Sequence, residues 1–159
     1  MEKALNLPPL VLIVDDDHLF GLLCARSLEK LGLQVMCADS MVQAAQLVEL
    51  HSHRIVLMFI DVVLARPECR LTGEDKTCPQ DGTELLALLE HRCSNAIGIQ
   101  MSAYTTQELA ENGYQLQSQH FLKKPITSAV FRATVQNLLP NLTVPTKPIL
   151  PPSDVTWCG

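Results

Sequence analysis

Long apolar runs are missing from this chain of 159 residues. The longest, at 10–14 and 55–60, fall far short of the roughly 20 residues a membrane-spanning helix needs. An excess of positive charge is missing too: Lys and Arg number 12 against 17 Asp and Glu, for a net charge of −5. Proteins that bind nucleic acid directly normally neutralise phosphates with a basic face, so that class is disfavoured. The six cysteines form no C-x-x-C pair, which removes the zinc-ribbon and thioredoxin-type readings. The five histidines are scattered and show no metal-ligand spacing. The N-terminus does not read as a secretory signal, because Pro8 and Pro9 and then Asp15, Asp16 and Asp17 interrupt it. A soluble cytoplasmic protein is expected, with neither nucleic acid nor membrane among its direct partners.

What is present is apolar and periodic. At 47% apolar and 18% charged residues the chain is of globular composition, and its length suits one domain. Short apolar segments at 10–14, 34–38, 55–60, 96–101 and 120–122 alternate with helix-length amphipathic ones, the pattern of a parallel α/β sheet. Phe20, Cys24, Leu28 and Leu31 share one face of a helix over 18–31 that Gly32 ends. Ser40 with Gln43 predicts a capping box before Met41, Ala44, Ala45 and Val48. Asp81 and Glu84 open a leucine-rich helix, and Thr105 with Glu108 predicts a second capping box, before a helix that stops near Gly113. Thr127 caps a last helix carrying Phe131, Val135 and Leu138. The third apolar segment has no polar side, as a central strand buried on both faces requires. Phe20, Leu23 and the leucines of 85–89 read as core, and Cys24, Cys37 and Cys93 as small hydrophobes.

Two stretches break the alternation. Residues 65–81 carry two prolines, a glycine and seven charged side chains, and read as an insertion after the third strand. Cys69 and Cys78 within it read as free loop thiols rather than a disulfide or metal ligands. From Pro140 onward the chain holds five of its ten prolines, which favours extended polyproline II and a tail or linker over 140–159. Residues 1–139 then form the one domain.

In an open parallel sheet, ligands bind outside the carboxyl ends of the strands. Asp15 and Asp16 follow the first strand and Asp61 ends the third. Two unit charges about 4 Å apart repel by roughly 4 kcal/mol at an effective dielectric of 20, so such a cluster calls for a cation. Oxygen ligands alone favour Mg²⁺ or Mn²⁺ over zinc. Ser102 adds a hydroxyl at the end of the fourth strand and Lys124 an ammonium after the fifth. Carboxylate nucleophile, cation, hydroxyl and ammonium are the parts that phosphoryl transfer to a carboxylate needs. Asp17 reads instead as a helix cap, and His18 as a solvated surface side chain.

Four segments, Val11-Leu-Ile-Val-Asp-Asp-Asp17, Phe59-Ile-Asp61, Met101-Ser-Ala103 and Phe121-Leu-Lys-Lys-Pro125, together resemble the receiver domain of two-component response regulators, the CheY-like superfamily. The resemblance spans roughly residues 9–139. It implies a (βα)5 doubly wound, five-stranded parallel sheet of flavodoxin-like order 2-1-3-4-5. It implies Asp61 as phosphoacceptor, and Mg²⁺ (or Mn²⁺) held by Asp15, Asp16, Asp61 and the backbone carbonyl of Val63. Ser102 and Lys124 would bind the phosphoryl group, and Ser102 with Phe121 would form the switch. Lys124 is preferred to Lys123 because it directly precedes Pro125. The phosphoryl donor would be a histidine kinase or phosphotransfer protein, and the output a contact with an unknown downstream protein. The chain would thus be a signalling switch rather than a metabolic enzyme. Its departure from the family is the insertion: Ala65 replaces a usual proline, and Asp81-Gly82 arrives about a dozen residues late. A degenerate receiver that only docks partners is the alternative. A haloacid-dehalogenase-like phosphatase is disfavoured, because Val63 stands where that family carries its general-acid aspartate.

Overall fold

The computed structural model describes residues 7–65 and 79–141. Five strands, β1 (Leu10–Val14), β2 (Gln34–Ala38), β3 (Ile55–Asp61), β4 (Ile97–Ser102) and β5 (Phe121–Lys123), alternate with five helices. The helices are α1 (His18–Glu29), α2 (Met41–His51), α3 (Gly82–Arg92), α4 (Thr106–Glu111) and α5 (Ser128–Leu138). The sheet is wholly parallel, in the order β2-β1-β3-β4-β5. The predicted doubly wound order is therefore the observed one. Cys69, Cys78, most of the insertion and residues 142–159 lie outside the described residues. No described helix is long and apolar enough to cross a membrane.

Strand side chains alternate between the two faces of the sheet, and each face packs its own core. Leu10, Leu12, Val14, Met58 and Ile60 meet Met41, Ala44 and Val48 of α2 and Leu85, Leu86 and Leu89 of α3. Val11, Ile13, Leu57, Phe59, Ile99 and Met101 face Cys24 and Leu28 of α1 and Phe131 and Val135 of α5. Phe59 and Phe131 pack edge to face, centroids 5.4 Å apart. Strand β3 is buried along nearly its whole length, which is why its sequence has no polar alternation.

Most local signals act as the residues predict. Asp17 Oδ1 accepts from Phe20 N–H, Ser40 from Gln43 N–H, Thr127 from Val130 N–H, and Thr105 and Glu108 form a reciprocal capping box. Gly32 and Gly113, at φ of 82° and 86°, adopt the left-handed conformation that ends a helix at low cost. Three expectations are corrected. Helix α1 ends at Glu29, two residues early, because the turn through Gly32 begins at Lys30. The Gln43 side chain accepts from Asp39 N–H rather than Ser40 N–H, so the second half of that box reaches one residue further back. Leu23 is 56% exposed rather than core, since it sits about 100° around the helix from buried Cys24. Leu19 and Leu22 are exposed on the same helix.

Candidate functional site

Parallel strands with neighbours β1, β3, β4 and β5 deliver their last residues to one edge of the sheet. The hydrogen-bond ladder runs one step past three of these strands. Asp15 N–H donates to Ala38 O at 3.0 Å, Val62 N–H to Met101 O at 2.9 Å and Lys124 N–H to Ser102 O at 2.8 Å. Asp15, Asp61, Ser102 and Lys124 are thereby carried on rigid strand ends rather than on free loops. The Lys124–Pro125 peptide bond is cis.

The Asp15, Asp16 and Asp61 carboxylates converge, with one oxygen of each within 4.8 Å of the others. Asp15 and Asp61 are buried and Asp16 faces solvent. Lys124 Nζ donates to Asp15 Oδ2, and to Asp61 Oδ2 at 3.2 Å. Asp61 Oδ1 accepts from Val63 N–H at 3.2 Å. Ser102 is buried, and its Oγ accepts from Tyr104 N–H at 3.1 Å, leaving the hydroxyl hydrogen available for donation. Phe121 is half-buried on β5 and pairs with Gln100, two residues before Ser102. Asp15, Asp16, Asp61, Ser102 and Lys124 are thus gathered at one edge of the sheet, while Phe121, the first residue of β5, lies further back along the strand.

The charges of the described residues do not balance. Burial pushes the Asp61 carboxyl from 3.8 up to about 6; the Lys124 ammonium opposes the rise and the Asp15 charge adds to it. Burial would pull Lys124 down, but its hydrogen bond to Asp15 and the charges of Asp61 and Asp15 outweigh that and raise it. One ammonium therefore serves two buried carboxylates, with a third carboxylate at the rim. A hard divalent cation fits this donor set: the ligands are carboxylate oxygens with an open, solvent-facing side, and among the described residues the negative charge outweighs the positive. The chemistry available is nucleophilic attack by a carboxylate held beside one ammonium, with room for a cation to offset the remaining negative charge.

The insertion is closed at its base. Gly82 N–H donates to Val62 O at 2.8 Å, so the chain comes back to the backbone it left. A Cβ on Gly82 would stand 1.8 Å from Asp61 O, which explains the glycine. Asp81 caps α3 there, its Oδ1 accepting from Thr83 and Glu84 N–H. The late Asp-Gly pair thus reaches the edge of the site.

One site neighbour escaped the sequence reading. Phe20, expected to be plain core, is half-buried and lies under Lys124 Nζ, 4.4 Å from the ring centroid. Only its place on the first turn after the aspartate run could have hinted at this.

The response regulator receiver domain family model matches residues 11–136. No curated protein matches the sequence. Among solved structures, a response regulator from Thermotoga maritima is 22% identical with a TM-score of 0.63, covering 84% of this chain and 99% of its own. The chemotaxis protein CheY4 of Vibrio cholerae is 18% identical with a TM-score of 0.64, over 84% of this chain and all of its own length (100%). The receiver domain of a Francisella response regulator is 23% identical with a TM-score of 0.62, over 85% and 99%. At these identities the likeness speaks for the fold.

Proposed function

We propose, because this chain belongs to the response regulator receiver domain family, that Asp61 accepts a phosphoryl group from a histidine kinase or phosphotransfer protein. An Asp61 carboxylate oxygen attacks phosphorus, the phosphorus–nitrogen bond of the donor phosphohistidine breaks, and its electron pair stays with the departing imidazole. The product is an acyl phosphate on Asp61. Asp15, Asp16, Asp61 and the Val63 carbonyl would hold Mg²⁺ (or Mn²⁺), which when bound neutralises charge on the phosphoryl oxygens.

The chain's own groups complete the reaction. Lys124 Nζ already lies 3.2 Å from Asp61 Oδ2 and needs little movement to meet a phosphoryl oxygen. Ser102 can donate its hydroxyl hydrogen to another, and that shift leaves room behind β4 for Phe121 to rotate inward. The face around β4, α4 and β5 then differs between the two states, and a downstream protein that prefers one of them reads the signal. The protein acts in the cytoplasm as a switch and supplies only the electrostatics for its own phosphorylation and dephosphorylation.

The observation that carries this reading is the Lys124 ammonium shared by Asp15 and Asp61 at the ends of adjacent strands. The test is incubation with acetyl phosphate, with and without Mg²⁺, followed by intact mass. One phosphoryl adduct is expected, dependent on Mg²⁺ and lost in Asp61→Asn. No adduct in the wild type would favour a module that only docks partners. An unchanged Phe121 ring environment by NMR on adding beryllofluoride would refute the switch.

A further inference from the structure

Phe20 has no part in the reaction as described, yet its ring is a direct neighbour of the group that meets the phosphoryl oxygens. Lys124 Nζ sits 4.4 Å from the ring centroid, within cation–π range. We propose that Phe20 is a positioning residue for Lys124, holding the ammonium at the pocket when the carboxylates are otherwise engaged; this rests on the function proposed above.

The Lys124 side chain is only 16% exposed, so its partners must stand in for most of its water. Among the described residues it has three: Asp15, Asp61 and the Phe20 ring. Both carboxylates belong to the cluster that suits a divalent cation, and Asp61 is also the phosphoacceptor. The ring is the one partner that serves neither purpose. When the carboxylates turn to other positive charge, a lysine on a flexible four-carbon stem would otherwise swing into solvent. The aromatic face remains, and its attraction for a cation grows as water is excluded.

The ring is fixed from its own side. Asp17 Oδ1 accepts from Phe20 N–H at 3.1 Å and Gly21 N–H donates to Asp17 O at 3.1 Å, which locks the first turn of α1. The ring also packs against the α1/α5 core. The third aspartate of the run thus acts on the site through the helix it caps.

The contact has a signature independent of phosphorylation. In metal-free protein the Lys124 ε-methylene protons, assigned by their loss in Lys124→Arg, should resonate upfield from the ring current. Phe20→Tyr should keep that shift, and Phe20→Leu, similar in bulk and apolar, should abolish it. With Mg²⁺ present, beryllofluoride should bind Phe20→Leu about three- to thirtyfold more weakly, the loss expected of one desolvated cation–π contact, while Phe20→Tyr stays near wild type. An unchanged ε-methylene shift in Phe20→Leu, or equal beryllofluoride affinity, overturns the proposal. Failure of the wild type to bind beryllofluoride instead refutes the phospho-receiver reading, and the metal-free shift still decides whether the ring holds the ammonium.

Discussion

Asp61→Asn should make the metal-free protein more stable at neutral pH while abolishing phosphorylation. The Asp61 carboxyl is displaced from 3.8 to about 6, mainly by burial. At roughly 1.4 kcal/mol per pH unit this sets the cost of ionising it in the fold at no more than about 3 kcal/mol. Asparagine keeps the shape and removes the charge, but it also strips Lys124 of one partner, so the realised gain should be nearer 1–2 kcal/mol. The sign follows from linkage. Between pH 3.8 and about 6 the native state holds a proton that the unfolded state has released, so the wild type loses stability as pH rises through this window. The advantage of Asp61→Asn should be absent below about pH 4, grow across the window and level off above about pH 6. Urea unfolding in chelator at a series of pH values reads this directly, and thermal scans should show a gain of roughly 3–6 °C at pH 7. A variant equal to or less stable than wild type at pH 7 would mean that Lys124 compensates the pocket fully and that no charge is left for a cation to neutralise.

Mg²⁺ at ten times its Kd should stabilise the wild type by about 1.4 kcal/mol, and Asp15→Ala with Asp16→Ala should erase that gain; an equal Mg²⁺ shift in both proteins places the metal elsewhere. Gly82→Ala should cost at least about 1–3 kcal/mol, because the new methyl meets backbone rather than a soft side chain, and an unchanged urea midpoint would refute the tight return of the chain onto Asp61. Cys24, whose thiol burial pushes up to about 12, should resist thiol reagents in the native state at pH 8 and react only on unfolding.

The fold was legible because each element announces itself twice, by period and by punctuation. The apolar β1 and β3 segments, the caps at Asp17, Thr105 and Thr127 and the stops at Gly32 and Gly113 all reappear. One boundary slipped where the turn leading into a glycine starts before the glycine itself, as at the end of α1. Leu23 was misjudged because a leucine one position away from a buried cysteine looks apolar in any window, while its direction depends on what lies beyond the helix. Asp15, Asp61, Ser102 and Lys124 were legible as strand-end residues, since topology alone brings strand ends together. The Phe20–Lys124 contact was not, because 104 residues separate its partners and no period relates them.

The insertion shows why a site of this kind tolerates what the sequence alone makes alarming. Its extra residues come directly after β3, where a displaced backbone would move Asp61. Chain entropy is a weak objection: doubling a loop costs only about 0.6 kcal/mol in closure. Geometry is the stronger one, and it is met at the base. Val62 is held on one side by its N–H donating to Met101 O at 2.9 Å and on the other by its carbonyl accepting from Gly82 N–H at 2.8 Å. Asp61 is therefore clamped between β4 and the first residue of α3, and Asp81 caps that helix beside it. With Val62 held on both sides, the carboxylate keeps its place beside Lys124. The same argument identifies the glycine rather than the missing proline at Ala65 as the residue the site depends on, because only a residue without a Cβ lets α3 begin against the Asp61 carbonyl.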